Sequence, residues 1–194
     1  MNSYHLRRKR KLNIVLIGYR CSGKTSVGSG LAARVDRPFF DTDELVQRIA
    51  GKSVEGLVTE GGWELFRRME TLAIREAVAF DGGIIATGGG SVLDPDNVRR
   101  MKANGWVIWL KADPEVVKSR MAKDEESGKV RPSLTDRGSL EEIRSVVELR
   151  SRIYEAAADF SIDTRMKTVD EVADEIEAAM PELIRKKSSW QETP

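Results

Sequence analysis

The 194-residue chain has one cysteine, Cys21, and one histidine, His5. A single cysteine closes no internal disulfide, which removes the framework of small secreted domains and agrees with a reducing compartment. One cysteine and one histidine are also too few for a structural zinc site. Long apolar runs are missing: stretches such as 14–17 and 107–110 fall far short of the roughly 20 residues that cross a bilayer. The basic N-terminus is not followed by an apolar signal core, so the expected location is the cytoplasm. Net charge is scarce as well, since 32 Lys and Arg against 31 Asp and Glu leave +1. That balance indicates neither a nucleic-acid nor an acidic-membrane partner, and any charge-driven binding must be local.

What is present is the composition of a globular protein, 40% hydrophobic and 32% charged, at a length that suits one domain. The ends differ from the middle. Residues 1–11 hold the basic cluster Arg7-Arg8-Lys9-Arg10-Lys11, read as a solvated leader, with nucleic-acid binding as the alternative. Residues 185–194 form a polar tail, which leaves 12–184 as the domain. Within it, short β-branched or aromatic runs at 13–17, 37–40, 83–86, 106–110 and 160–163 alternate with segments of helical period at 24–34, 44–49, 63–80, 95–103, 114–121, 140–158 and 169–179. This alternation predicts an α/β domain with a largely parallel sheet. The stretch 123–138 has neither period, and a loop of that length in a compact domain is functional or disordered.

The strongest motif is Gly18-Tyr19-Arg20-Cys21-Ser22-Gly23-Lys24-Thr25, a complete G-x-x-x-x-G-K-T between an apolar strand and a helix. Its glycines let successive backbone N–H groups turn inward on a phosphate, and the helix N-terminus adds its positive end. Lys24 is then expected on the β and γ phosphates and the Thr25 hydroxyl on Mg²⁺. Cys21 needs only its backbone N–H there.

Further along, Asp41-Thr42-Asp43 ends the second strand, where ligands of open α/β sheets gather. The pair suits the water shell of a metal or the proton of an attacking hydroxyl, while Asp43 is equally suited to cap a helix starting at Glu44. Thr87-Gly88-Gly89-Gly90 follows the third strand and permits close approach of a ligand, or simply a tight turn. Arg67 and Glu70 stand three apart on one helix face, so the carboxylate can orient the guanidinium. Arg67, Arg131 and Arg150, each taken singly, read as solvated surface residues.

Taken together, the P-loop, the Asp-Thr-Asp, Phe66-Arg67-x-x-Glu70, Thr87-Gly-Gly-Gly90, Arg131-Pro132-x-Leu134 and Arg150-Ser151-Arg152-Ile153-Tyr154 resemble the shikimate kinase family in order and spacing from about residue 12 to 179. The resemblance implies a P-loop fold of nucleoside-monophosphate-kinase type: a five-stranded parallel sheet of order 2-3-1-4-5, flanked by helices, with a mobile lid at about 123–138. It implies Mg²⁺-dependent transfer of the ATP γ-phosphoryl group to the 3-hydroxyl of shikimate, on the way to chorismate and the aromatic amino acids, by a monomer. By the same resemblance Gly18, Cys21, Ser22, Gly23, Lys24, Thr25, Ser26, Arg120 and Arg131 face ATP, with Arg120 near the adenine. Asp41 steadies the metal through water beside Thr25. Asp43, Arg67, Gly88, Gly89, Gly90 and Arg150 meet shikimate, and Asp43, Lys24 and Arg131 carry the catalysis. The alternatives are a kinase of the same fold acting on gluconate or a nucleotide, and a non-catalytic nucleotide-binding module. Trp63 stands where the family usually has an acidic residue, and Arg152-Ile153 where it commonly has Pro-Leu.

Overall fold

The computed structural model describes residues 11–126 and 140–185. Five strands form one sheet: β1 (Asn13–Ile17), β2 (Phe39–Asp41), β3 (Ile84–Ala86), β4 (Gly105–Lys111) and β5 (Phe160–Asp163). Their order is β2-β3-β1-β4-β5, and every pairing is parallel. Both faces of β1 are covered, and all five of its residues are buried. Alternation along the strand divides the core. Ile14 and Leu16 pack with Val27 and Leu31 of α1 (Lys24–Val35) and with Val172 and Ile176 of α7 (Val169–Ala179). Val15 and Ile17 face the opposite layer, against Leu45 of α2 (Thr42–Ala50), Ile74 of α3 (Val54–Ala79), Met101 of α4 (Pro95–Asn104) and Tyr154 of α6 (Leu140–Ala157).

Two helices start earlier than expected, each for a local reason. α2 begins at Thr42, because Asp41 rather than Asp43 is its cap: the Asp41 carboxylate accepts from the Asp43 N–H at 2.9 Å. α3 begins nine residues earlier than the periodicity predicts, at Val54, and is broken where Gly61 and Gly62 leave helical geometry. Gly62 sits at φ 65° and ψ −174°, a region that essentially only glycine occupies, so the break is written into the pair. α5 (Pro114–Glu126) runs into the expected lid, so residues 123–126 are helical, and 127–138 lie outside the described residues. Arg185, assigned to the C-terminal tail, closes a short helix α8 (Glu182–Arg185).

The order places β1 between β3 and β4, so the chain leaves β1 and β4 to opposite sides of a crevice at their carboxyl ends. The segment following β3 meets those following β1 and β2 there: the Gly88 N–H donates to Thr42 Oγ1, and Gly89 packs on the backbone of Arg20.

Candidate active site

At that crevice lies an open cleft of about 870 Å³. Its floor is the loop between β1 and α1. Gly18 has φ 146° and Gly23 φ 95°, and a Cβ at Gly18 would stand 2.5 Å from the Leu110 carbonyl oxygen. Both positions therefore require glycine. Cys21 adopts φ 57°, a conformation unfavourable to a residue with a Cβ, and this turns the loop's backbone towards the cleft. Lys24 is 8% exposed. Its ammonium donates to the carbonyls of Gly18 (2.9 Å) and Tyr19 (2.7 Å) and to Ser22 Oγ (3.3 Å), so it lies folded over the loop that it closes.

Thr25 Oγ1 donates to Asp41 Oδ2 at 2.7 Å, while Asp41 Oδ1 caps α2. The cap fixes the carboxylate, so a hard oxygen pair stands at the N-terminus of α1. Among the described residues no group of three or more His, Cys, Asp or Glu side chains could hold a metal alone. A hydroxyl and one carboxylate fit a cation that keeps several waters and completes its shell with phosphate oxygens, which describes Mg²⁺.

Because Asp41 takes the capping role, Asp43 falls in the first turn of α2 and lines the cleft. Gly88 measures its position: a Cβ there would stand 2.9 Å from Asp43 Oδ1 and 2.5 Å from Glu70 Oε1. The Gly88 N–H donates to Thr42 Oγ1 at 2.9 Å, tying this loop to α2. Gly90 lies against the Arg67 guanidinium, where a Cβ would collide. The three glycines are therefore a close-packed wall and not merely a turn.

Arg67 Nη1 and Glu70 Oε2 are 2.6 Å apart, as the helix spacing predicts. Glu70 is 1% exposed, and its other oxygen accepts from Ser91 Oγ at 2.9 Å. Burial pushes its pKa above the usual carboxylate range, and the charge and hydrogen bond of Arg67 act against that rise. Arg67 also lies over the rings of Phe66 (5.2 Å) and Trp63 (5.7 Å), which are themselves edge-to-face. Its guanidinium is thus held from three sides. Arg150, across the cleft, lies over the Tyr19 ring at 5.9 Å.

Arg120 donates from Nη1 to the Cys21 carbonyl at 3.0 Å and so stands beside the phosphate loop. Arg131 lies outside the described residues. The sequence reading missed part of the cleft: Thr164, Lys167, Thr168 and Val169, from the connection between β5 and α7, also line it. A capping box at Thr168 and Glu171 marks that helix start and is legible in sequence, but nothing local says that it faces a ligand. Glu70, Ser91 and Trp63 carry no motif of their own beyond the spacing of Arg67 to Glu70. The remaining expected residues, from Cys21 of the P-loop to Arg150, line the same cleft, whereas Gly18 lies beneath it against the Leu110 carbonyl.

The shikimate kinase family model matches residues 20–181. A shikimate kinase of Syntrophus aciditrophicus is 41% identical over 172 residues, covering 84% of this chain and 88% of the relative. One from Caldanaerobacter subterraneus is 40% identical over 164 residues, covering 84% and 93%. Among solved structures, the Acinetobacter baumannii shikimate kinase in complex with shikimate superposes with a TM-score of 0.79 at 28% identity, covering 86% of this chain and 90% of that one. The Aquifex aeolicus enzyme gives 0.72 at 31%, covering 86% and 95%. A motif-complete phosphate loop, the β2-β3-β1-β4-β5 sheet and this likeness over most of the chain agree: the chain belongs to the shikimate kinase family.

Proposed function

We propose that the cleft divides into a nucleotide half and an acceptor half, and that Asp43 works at their junction. The chain is an ATP-dependent kinase, a shikimate 3-phosphotransferase. ATP phosphates fit the P-loop backbone from Gly18 to Ser26, with Lys24 leaving the loop carbonyls to reach the β and γ oxygens. Mg²⁺ would be held by Thr25 directly and by Asp41 through water, and when bound it neutralises charge on the phosphates.

On the other side, Arg67 and Arg150 suit the shikimate carboxylate, because a guanidinium held by Glu70 offers paired donors in a fixed plane. The backbone of Gly88 to Gly90 lines the ring. Asp43 accepts the proton of the attacking 3-hydroxyl. The observation that carries this reading is the apposition at Gly88, where a Cβ would stand within 3 Å of both Asp43 and the Arg67-bound Glu70, while the adjoining Gly89 packs on the phosphate loop. A group transfer needs that closeness more than it needs covalent chemistry from the protein.

Arg131, with the segment 123–138 as a lid, completes the phosphate charge and excludes water in this reading. Arg120 and the wall at Thr164 to Val169 suit the nucleoside. In this reading the enzyme works as a monomer in the cytoplasm, whose reducing conditions suit a single unpaired cysteine. ADP release from Mg·ATP tests the function. Release that requires shikimate is expected, and equal release with gluconate, with a nucleoside monophosphate or with no acceptor would contradict it.

A further inference from the structure

Tyr154 has no part in the division of labour above, yet it touches the acceptor wall. It lies on α6 one turn after Arg150, so both side chains leave the same helix face. Its ring is 2% exposed and stacks on Trp109 of β4 at 5.7 Å and 23°. Its phenol donates to the Gly89 carbonyl at 2.5 Å. Burial raises the phenol well above its ordinary pKa while the charge of Arg150 and a hydrogen bond from its guanidinium oppose the rise, so the group stays an O–H donor at any working pH.

Gly89 is confined on its other side too. A Cβ there would stand 3.0 Å from the Arg20 backbone nitrogen and 3.4 Å from the Tyr19 carbonyl carbon, so the acceptor wall lies flat on the phosphate loop. Tyr19, in that same loop, has Arg150 over its ring. One turn of α6 thus holds the acceptor wall through Tyr154 and meets the phosphate loop through Arg150.

The geometry points to Tyr154 as a positioning residue that sets the distance between acceptor hydroxyl and terminal phosphate, by clamping Gly89 between α6 and the P-loop. It rests on the acceptor reading given above. A core packing role needs only the ring; the hydroxyl reaches a carbonyl of the site. A misplacement of about 1 Å between reacting groups costs on the order of 100-fold in rate.

Three chains test it: Tyr154→Phe, 4-aminophenylalanine introduced at position 154, and Trp109→Phe as a packing control. Tyr154→Phe is expected to fold, with a thermal midpoint lower by about 2–8 °C. Its ADP affinity should match wild type, while kcat falls about 10- to 100-fold and the shikimate KM rises. 4-Aminophenylalanine restores an N–H donor and should recover most of kcat, and Trp109→Phe should lower the midpoint and keep kcat. Wild-type turnover in Tyr154→Phe, no recovery with the restored donor, an equal kcat loss in Trp109→Phe, or a Phe variant that does not fold would each overturn the proposal, the last because the hydroxyl would then serve the fold. A wild-type chain without shikimate-dependent ADP release would overturn the acceptor reading and this proposal together. A shikimate-dependent wild type with an unimpaired Phe variant would overturn this proposal alone.

Discussion

The two halves proposed for the cleft, one for phosphates and one for the acceptor, are built by different means. The phosphate half is one contiguous segment, Gly18 to Thr25, and its working surface is backbone shaped by glycine, with a single lysine folded over it. The acceptor half is assembled from side chains on α2, α3 and α6 and from the loop after β3, and its arginine is held by a buried carboxylate. Every P-loop enzyme must bind the same triphosphate, so that half can be a fixed local device. The acceptor is particular to the enzyme, and recognising it takes directional groups whose poses depend on long-range packing.

That contrast can be broken in order of expected effect. Asp43→Asn strikes the junction and should lower kcat about 10²- to 10⁴-fold, with ADP affinity by calorimetry unchanged; a parallel loss of nucleotide binding would remove Asp43 from the proton's path. Lys24→Met strikes the phosphate half alone. It should cost roughly 10²- to 10³-fold in kcat and weaken nucleotide binding, leaving shikimate binding by equilibrium titration in place. Arg67→Lys strikes the acceptor half alone and is expected to raise the shikimate KM by about 10- to 100-fold with the ATP KM unchanged, since the ammonium cannot copy the planar fork.

Glu70 offers a finer test through pH. Its folded pKa is raised, so the native chain binds this proton more tightly than the unfolded chain. Its contribution to stability is therefore fully present below the ordinary carboxylate pKa and declines as pH rises to the raised folded value. Glu70→Gln should flatten that part of the stability curve, measured by denaturant midpoints across mildly acidic pH, and should raise the shikimate KM by loosening Arg67. The smallest effect is expected far from the cleft. Arg34 pairs with Asp170 and Asp174 at 2.6 Å on the exposed faces of α1 and α7, and Arg34→Ala should leave both kinetic constants unchanged and the melting curve nearly so.

Legibility followed the same division. The strand runs 13–17 and 160–163 match β1 and β5, and the P-loop could be read in full, because period and motif are local properties of the chain. The start of α3 was not legible, since residues 54–60 contain Gly56 and run into Gly61-Gly62, and the turn is held by Leu57 buried in one cluster with Leu45 and Val46 of α2. The Asp41 and Asp43 roles could not be separated by spacing alone: both can cap, and only the register of α2 decides that Asp41 does. Arg150 and Arg67 look like ordinary surface arginines until packing brings them to one cleft. Tyr154 stands in the family-like segment 150–154, but its contact with the site could not be read there, because the partner is a backbone carbonyl 65 residues away.

Product analysis by ³¹P NMR in a mixture of Mg·ATP, shikimate and the wild-type chain tests the central claim most directly. The expected result is a single new phosphomonoester, coupled to the proton on carbon 3 of shikimate and formed in step with ADP. Inorganic phosphate as the sole product, or ester formation at another hydroxyl, would contradict the placement of Asp43 between the phosphate loop and the arginine-lined wall.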